Sequence, residues 1–188
     1  MAEEVWIARH GETEWSLSGQ HTGTTDLQLT DDGVEQARAL GTRLADVGFT
    51  CVLTSPSRRA RHTAELAGFE EVLQTDDDLS EMRYGAAEGR TTAEMQAERP
   101  GWASWDGGSE GAESLGEMAP RVDRVVERLH GIDGRVLVVG HGHASRVLAA
   151  RWVGITELAR HLVALPTGHL GILAFDHGQP AIRAWSIP

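Results

Sequence analysis

The stretch Val-Trp-Ile-Ala-Arg-His-Gly-Glu-Thr, residues 5–13, decides the fold that this sequence predicts. Its first four residues are apolar and include two β-branched side chains, which is typical of a buried strand. Arg9, His10 and Gly11 follow at the point where that strand should end. Ligands of open α/β sheets bind just beyond the carboxyl ends of the strands, so we expect the chemistry of the protein here.

The residue types at this strand end suit the binding of an oxyanion. His10 can be a neutral nucleophile at physiological pH. Arg9 offers a planar fork of donors that fits phosphate, and Gly11 allows a sharp turn and the close approach of a substrate. On these three residues alone, a strand end that merely happens to be charged is an equally simple interpretation.

A second strand end resembles the first. Residues 135–140 (RVLVVG) form a clean apolar run that leads directly into His141, Gly142 and His143. If the two strands lie side by side, His10 and His141 face one another across a small pocket. Such a pocket suits an oxyanion held by imidazole and guanidinium donors.

Four sequence motifs resemble those of the histidine phosphatase superfamily, the phosphoglycerate-mutase-like proteins, and they occur in the order found in that family. They are residues 9–13 (RHGET), 55–64 (SPSRRARHTA), 79–89 (LSEMRYGAAEG) and 139–142 (VGHG). The resemblance spans nearly the whole chain. It implies an α/β fold, a three-layer α/β/α sandwich with a mostly parallel central sheet, built as one domain over residues 1–188.

The resemblance also implies roles for particular residues. His10 would be the nucleophile that carries the phosphoryl group, and Glu81 the acid that protonates the leaving group. Arg9, Arg59 and His141 would bind the phosphate oxygens. Further phosphate or substrate contacts are expected from the loop after the nucleophile and from the helix start after the second histidine. These contacts involve Ser16, where many members carry Asn, together with Thr22, Gly23 and Gly142.

The compact form of the chain favours a phosphatase over a mutase. Phosphoglycerate mutases of the family carry a longer, basic insertion in the region that follows residues 100–101, and this chain has none. The resemblance suggests a sugar phosphate or bisphosphate as substrate, as in sedoheptulose-bisphosphatase-like members, or a broad acid phosphatase. A phosphoglycerate mutase-type phosphotransferase is the alternative. No metal or cofactor is expected, since two arginines and a histidine supply the positive charge and the donors.

A metal-binding protein that uses His10, His141 and His143 is a rival from another class. It is disfavoured because Arg9 and Arg59 would repel a cation. Activity that survives a strong chelator would separate the two hypotheses.

Composition restricts the partners of the protein. The chain has 188 residues and a net charge of −11, so a nucleic-acid surface is not expected. No apolar run is long enough to span a membrane, and the acidic start of the chain does not resemble a signal peptide. Cys51 is the single cysteine and is expected to be a buried structural residue. We expect a cytoplasmic enzyme with a small phosphorylated substrate; a homodimer is possible by analogy with the family.

The remaining pattern predicts scaffold elements. Residues 14–30 predict an ordered loop. Helices are expected after Thr30 with a stop at Gly48, after Ser55 or Ser57, over residues 91–99, over 114–130 with a capping box, and over 143–153. Strands are expected over residues 51–54, 69–74, 136–139, 171–176 and 180–186, and residues 75–78 predict a solvated acidic turn. The sequence does not assign roles to Trp15, Trp102, Trp105, His143 and His169.

Overall fold

A six-stranded mixed sheet forms the centre of the computed structural model, which describes residues 2–188. Its strands are β1 (Ala2–Arg9), β2 (Cys51–Thr54), β3 (Leu73–Thr75), β4 (Gly134–Gly140), β5 (Leu170–Asp176) and β6 (Gln179–Ile187). The order across the sheet is β3-β2-β4-β1-β5-β6. The first four strands in this order are parallel to one another. β5 pairs antiparallel with β1, and β6 pairs antiparallel with β5.

Helices cover both faces of this sheet. They are α1 (Glu14–Ser18), α2 (Asp31–Leu44), α3 (Arg58–Ala64), α4 (Thr92–Glu98), α5 (Leu115–His130) and α6 (Gly142–Trp152). The apolar residues of α2 and α3 pack on one face, and those of α5 and α6 pack on the other. The predicted three-layer α/β/α sandwich is therefore confirmed. Among residues 2–188, no helix has the length and apolar character needed to cross a lipid bilayer.

Alternation along β1 divides the core between the two faces. Val5 and Ile7 belong to the cluster on the α5–α6 side, whereas Ala8 and the partly buried Trp6 belong to the α2–α3 side. Successive side chains of a strand point to opposite faces, and both faces are covered here. An uninterrupted apolar run is therefore what this central strand requires.

Several helix starts follow the predicted capping chemistry. Thr30 accepts a hydrogen bond from the backbone of Gly33 at the start of α2. The capping box of α5 pairs Ser114 with Glu117 reciprocally. These bonds satisfy backbone donors that a helix start otherwise leaves without partners.

Four local predictions were wrong or only partly right. Residues 14–18 form helix α1 rather than loop, because Thr13 and Ser16 make a capping box. Helix α2 ends at Leu44, before Gly48. Within 69–74 only Leu73 and Gln74 are strand, because a π-helical turn covers residues 65–69 and a 3₁₀ turn covers residues 70–72. The acidic turn is not simply solvated, since Asp76 is buried and lies 2.6 Å from Nη1 of Arg128.

Contact between α2 and the loop after His10 is unusually close at Gly33. A Cβ atom at this position would overlap the carbonyl oxygen of Glu12. We expect Gly33→Ala to lower the free energy of unfolding by about 1–3 kcal/mol, the usual cost of overpacking. Equilibrium urea unfolding measures the change.

Gly116→Ala is the matched control, because Gly116 also lies in the first turn of a helix but has open space around it. The nearest atom to its Cβ would be Oγ of Ser114 at 4.0 Å. Helix propensity should then raise the free energy of unfolding by up to about 1 kcal/mol. Equal effects of the two substitutions would contradict the close contact at Gly33.

Candidate active site

The parallel pairing of β1 with β4 brings the two predicted histidines together. Arg9 lies opposite Gly140 in the register, and the backbone N–H of His10 donates to the Gly140 carbonyl over 3.0 Å. His10 and His141 therefore leave the sheet at the same edge. Their ring centroids are 5.3 Å apart, and both side chains are buried.

Hydrogen bonding selects one tautomer of His10. Its Nδ1 lies 2.7 Å from the carbonyl oxygen of Gly11. A carbonyl oxygen only accepts, so Nδ1 carries the hydrogen and Nε2 keeps its lone pair. The ring is thus oriented with the lone pair of Nε2 free.

Serine hydroxyl groups hold the ring of His141 at its Nε2 atom. Its Nε2 lies 2.7 Å from Oγ of Ser55 and 3.3 Å from Oγ of Ser57. Its Nδ1 is buried and has no hydrogen-bond partner within residues 2–188. Sequence reasoning considered these serines only as helix caps. Their place at the end of β2, beside β4, is the signal that could have linked them to His141.

Arg59 is buried in the site, with 1% of the residue exposed. Its Nη1 donates to the carbonyl of Thr25, and its Nη2 donates to the carbonyls of Thr22 and Gly23. Its Nε is buried without a partner among the described residues. One arginine thus holds the loop after His10 and still has a donor to offer.

Arg9, like Arg59, uses one guanidinium nitrogen in a bond to the main chain and leaves another without a partner. Its Nη1 donates to the carbonyl of Leu165 over 2.7 Å, whereas its Nε is buried and lacks a partner in the part of the chain that the structure describes. An ideal Cβ on Gly142 would lie 3.6 Å from Cζ of Arg9, so the start of α6 is in contact with this guanidinium.

Three buried nitrogens without partners thus belong to residues predicted to bind one phosphate: Arg9, Arg59 and His141. Buried polar atoms are almost always hydrogen-bonded, so such a group indicates a site that a ligand completes. Two of the three belong to cations, so the ligand that they fit is an anion.

Burial and the same charges keep the imidazoles neutral. Burial, followed by the charges of Arg9 and Arg59, holds the pKa of His10 well below 6.5. Burial and Arg59 likewise hold the pKa of His141 well below 6.5. At neutral pH, His10 is therefore an unprotonated imidazole beside fixed positive charge.

Glu81 lies at the start of α6. Its Oε1 accepts from the backbone N–H groups of Met82 and Ala144, both at 2.8 Å, and its Oε2 accepts from that of His143 at 3.0 Å. Three backbone donors thus fix the orientation of this carboxylate beside the start of α6.

Two cavities meet at Glu81. The nucleophile cavity, of about 240 Å³, contains Arg9, His10 and Gly142. The outer cavity, of about 440 Å³, contains Ser55, Ser57 and His141. Trp15, Ser16, His21, Thr22, Tyr84 and His143 also line the nucleophile cavity.

The loop residues predicted to bind substrate are positioned differently from one another. Thr22 lines the nucleophile cavity. Ser16 also lines it, but its hydroxyl is engaged with the backbone of Thr13. Gly23 lines the outer cavity, and its N–H donates to Glu88 over 2.9 Å. Glu88 therefore caps the backbone of this loop.

Four of the residues to which the sequence assigned no role lie either in the core or at the nucleophile cavity. Trp102 and Trp105 are buried in the core, with the face of Trp105 stacked against Arg146 and its ring centroid 4.5 Å from that of His143. Trp15 and His143 line the nucleophile cavity.

His143 is bound on both ring nitrogens, by Tyr84 at Nδ1 and Ser104 at Nε2. The carbonyl of His169 accepts from the N–H of Arg9. Within residues 2–188, no three His, Cys, Asp or Glu side chains are grouped as metal ligands.

Comparison with known proteins agrees with this fold and geometry. Residues 5–188 match the model of the histidine phosphatase superfamily (branch 1). An acid phosphatase of Mycobacterium tuberculosis is 39% identical over 176 residues, covering 92% of this chain and 86% of the relative. A sedoheptulose 1,7-bisphosphatase of Saccharomyces cerevisiae is 37% identical over 247 residues, covering 94% of this chain and 90% of the relative.

A solved structure of an open reading frame product from Mycobacterium tuberculosis superimposes with a TM-score of 0.87 at 36% identity, covering 98% of this chain and 97% of that one. The chain therefore belongs to the histidine phosphatase superfamily and is an enzyme of the phosphatase type.

The buried neutral imidazoles make stability depend on pH. The pKa values of His10, His141 and His143 are lowered in the folded state, so the unfolded chain binds more protons as pH falls through about 6.5. We expect the free energy of unfolding to fall between pH 7.5 and 5.5, at up to about 1.4 kcal/mol per pH unit for each imidazole. Urea unfolding at several pH values tests this.

Histidine NMR gives the site-resolved readout. The ring resonance of His10 should keep its neutral position at pH 6, and His10→Asn identifies it by removing it. The same variant should lose about one imidazole's share of the pH dependence. Protonation of His10 at pH 6.5 or above would contradict the charge arrangement described here.

Proposed function

We propose that this enzyme is a metal-independent phosphomonoesterase that hydrolyses small phosphorylated metabolites, sugar phosphates or bisphosphates among them, through a phosphohistidine on His10. The observation that carries this proposal is the group of buried, unpartnered nitrogens of Arg9, Arg59 and His141 beside a neutral His10. This arrangement supports one bound phosphate next to one free imidazole nitrogen.

In the first step, Nε2 of His10 attacks phosphorus in line with the ester oxygen. The N–P bond forms as the P–O bond to the leaving group breaks. Arg9, Arg59 and His141 donate to the equatorial oxygens, where charge spreads in the transition state. The N–H on Nδ1 of His10 remains bonded to Gly11, so positive charge on the ring is stabilised as phosphorus is transferred.

Glu81 transfers a proton in both steps. In the first step Glu81 acts as the general acid and gives a proton to the leaving alkoxide. In the second step it accepts a proton from water, which attacks the phosphohistidine and releases phosphate. His10 returns to its neutral form.

Substitution of Glu81 separates the two steps. For Glu81→Gln, we expect the kcat for an alkyl phosphate to fall by about 10²–10⁴, the usual contribution of a general acid. With p-nitrophenyl phosphate, whose leaving group needs no proton, a burst of one nitrophenolate per enzyme should precede slow turnover. Rapid-quench kinetics and acid-labile labelling of His10 detect the trapped intermediate.

Glu98→Gln is the control, because Glu98 is exposed on α4 and pairs only with Arg90. His10→Ala should abolish labelling and turnover together. Full activity of His10→Ala would refute the phosphohistidine. Interconversion of phosphoglycerates without release of phosphate would instead identify a phosphoglycerate mutase-type phosphotransferase.

A further inference from the structure

We infer that the preferred substrate carries a single phosphate esterified to an uncharged, hydroxyl-bearing leaving group such as a sugar or polyol. This inference rests on the phosphomonoesterase function proposed above and specifies its substrate class. It follows from the side chains that surround Glu81 in the two cavities, and from the lack of a free cation among them.

The first observation concerns the cations of the nucleophile cavity. The chain contains no lysine, so every permanent side-chain cation is an arginine. Arg9 is the only arginine that lines this cavity, and its free donor is assigned to the transferred phosphate. A second phosphate or a carboxylate on the leaving group would therefore meet no further arginine in the described lining of this cavity.

The outer cavity offers no better anion site. Of its two arginines, Arg121 is fully engaged: Nε and Nη2 bind Glu113, and Nη1 binds the carbonyls of Asp78 and Ser80. Arg83 is 56% exposed at the rim and lies 3.7 Å from the same Glu113. The cavity is also lined by three carboxylates, those of Asp26, Asp77 and Glu81. These carboxylates would repel a second anion.

His21 supplies a neutral hydrogen-bonding group to the nucleophile cavity. Its Nε2 lies 3.2 Å from Oγ1 of Thr92, and Nδ1 has no bond to another described residue. Its ring packs on that of Tyr84 with 4.7 Å between centroids. Burial lowers the pKa of His21, so at neutral pH Nδ1 meets a ligand as part of an uncharged ring.

The wall next to His21 is neutral as well. The hydroxyl of Tyr84 lies 2.8 Å from Nδ1 of His143. Burial holds the pKa of His143 well below 6.5 and raises that of Tyr84 well above 10. Aromatic faces with a few polar groups suit the C–H faces and hydroxyl groups of a sugar.

Matched substrates test the inference. Fructose 1-phosphate and fructose 6-phosphate are compared with fructose 1,6-bisphosphate, and glycerol 3-phosphate with 3-phosphoglycerate. We expect kcat/KM to be at least about tenfold higher for the substrates with an uncharged leaving group. An equal or higher value for the bisphosphate would overturn the inference.

Two variants locate the effect. His21→Phe keeps the ring but removes Nδ1, and should lower kcat/KM for the sugar monophosphates about fivefold relative to p-nitrophenyl phosphate. Arg83→Gln should leave kcat/KM unchanged for the sugar monophosphates and for p-nitrophenyl phosphate. Arg38→Gln, at an exposed position on α2, is its control. A selective tenfold loss of bisphosphate turnover in Arg83→Gln would show that the rim arginine binds a second anion, which would overturn the inference.

The outcomes distinguish the inference from the proposed function. If p-nitrophenyl phosphate is hydrolysed with a trapped phosphohistidine but bisphosphates are preferred, the inference alone is wrong. If no phosphate is released from any of these substrates, both are wrong.

Discussion

The burial of two guanidinium groups beside two imidazoles is the constraint on which the site depends. Buried charge is costly unless it is paired, and the free nitrogens of Arg9 and Arg59 have no partner within residues 2–188. Burial, together with these charges, keeps His10 and His141 uncharged. A bound anion would supply the missing partners, so the two buried arginines both favour an anion and help to keep His10 neutral.

The parallel half of the sheet makes this arrangement possible. Strands β1, β4 and β2 are neighbours, and their carboxyl ends deliver His10, His141 and Ser55 to one edge. The helices that follow β2 and β4 begin at the same edge, so Arg59 comes from the first turn of α3. The start of α6 meets Glu81 from a separate loop.

The two histidines at this edge could be predicted from local signals, whereas the layered fold and the places of Arg59 and Glu81 were implied by the four family motifs. Strand ends carry the histidines, and the pair Ser114 and Glu117 marks a helix start by spacing alone. The partners of those residues could not be predicted in the same way. The contact of Asp76 with Arg128 joins residues 52 positions apart, and that of Gly23 with Glu88 joins residues 65 apart. Such pairs depend on tertiary packing, which single-sequence patterns do not encode.

The anchoring of the loop after the nucleophile has a consequence for how this fold can diversify. Arg59 holds residues 22–25 only through carbonyl oxygens, and Glu88 holds the N–H groups of Gly23 and Thr25. Every one of these bonds is made to the main chain, so Thr22, Thr24 and Thr25 can be exchanged without loss of them, whereas a Cβ at Gly23 would clash with Met82 and Glu88. The three threonine positions can therefore vary during evolution, or by loop grafting, while the path of the loop stays fixed.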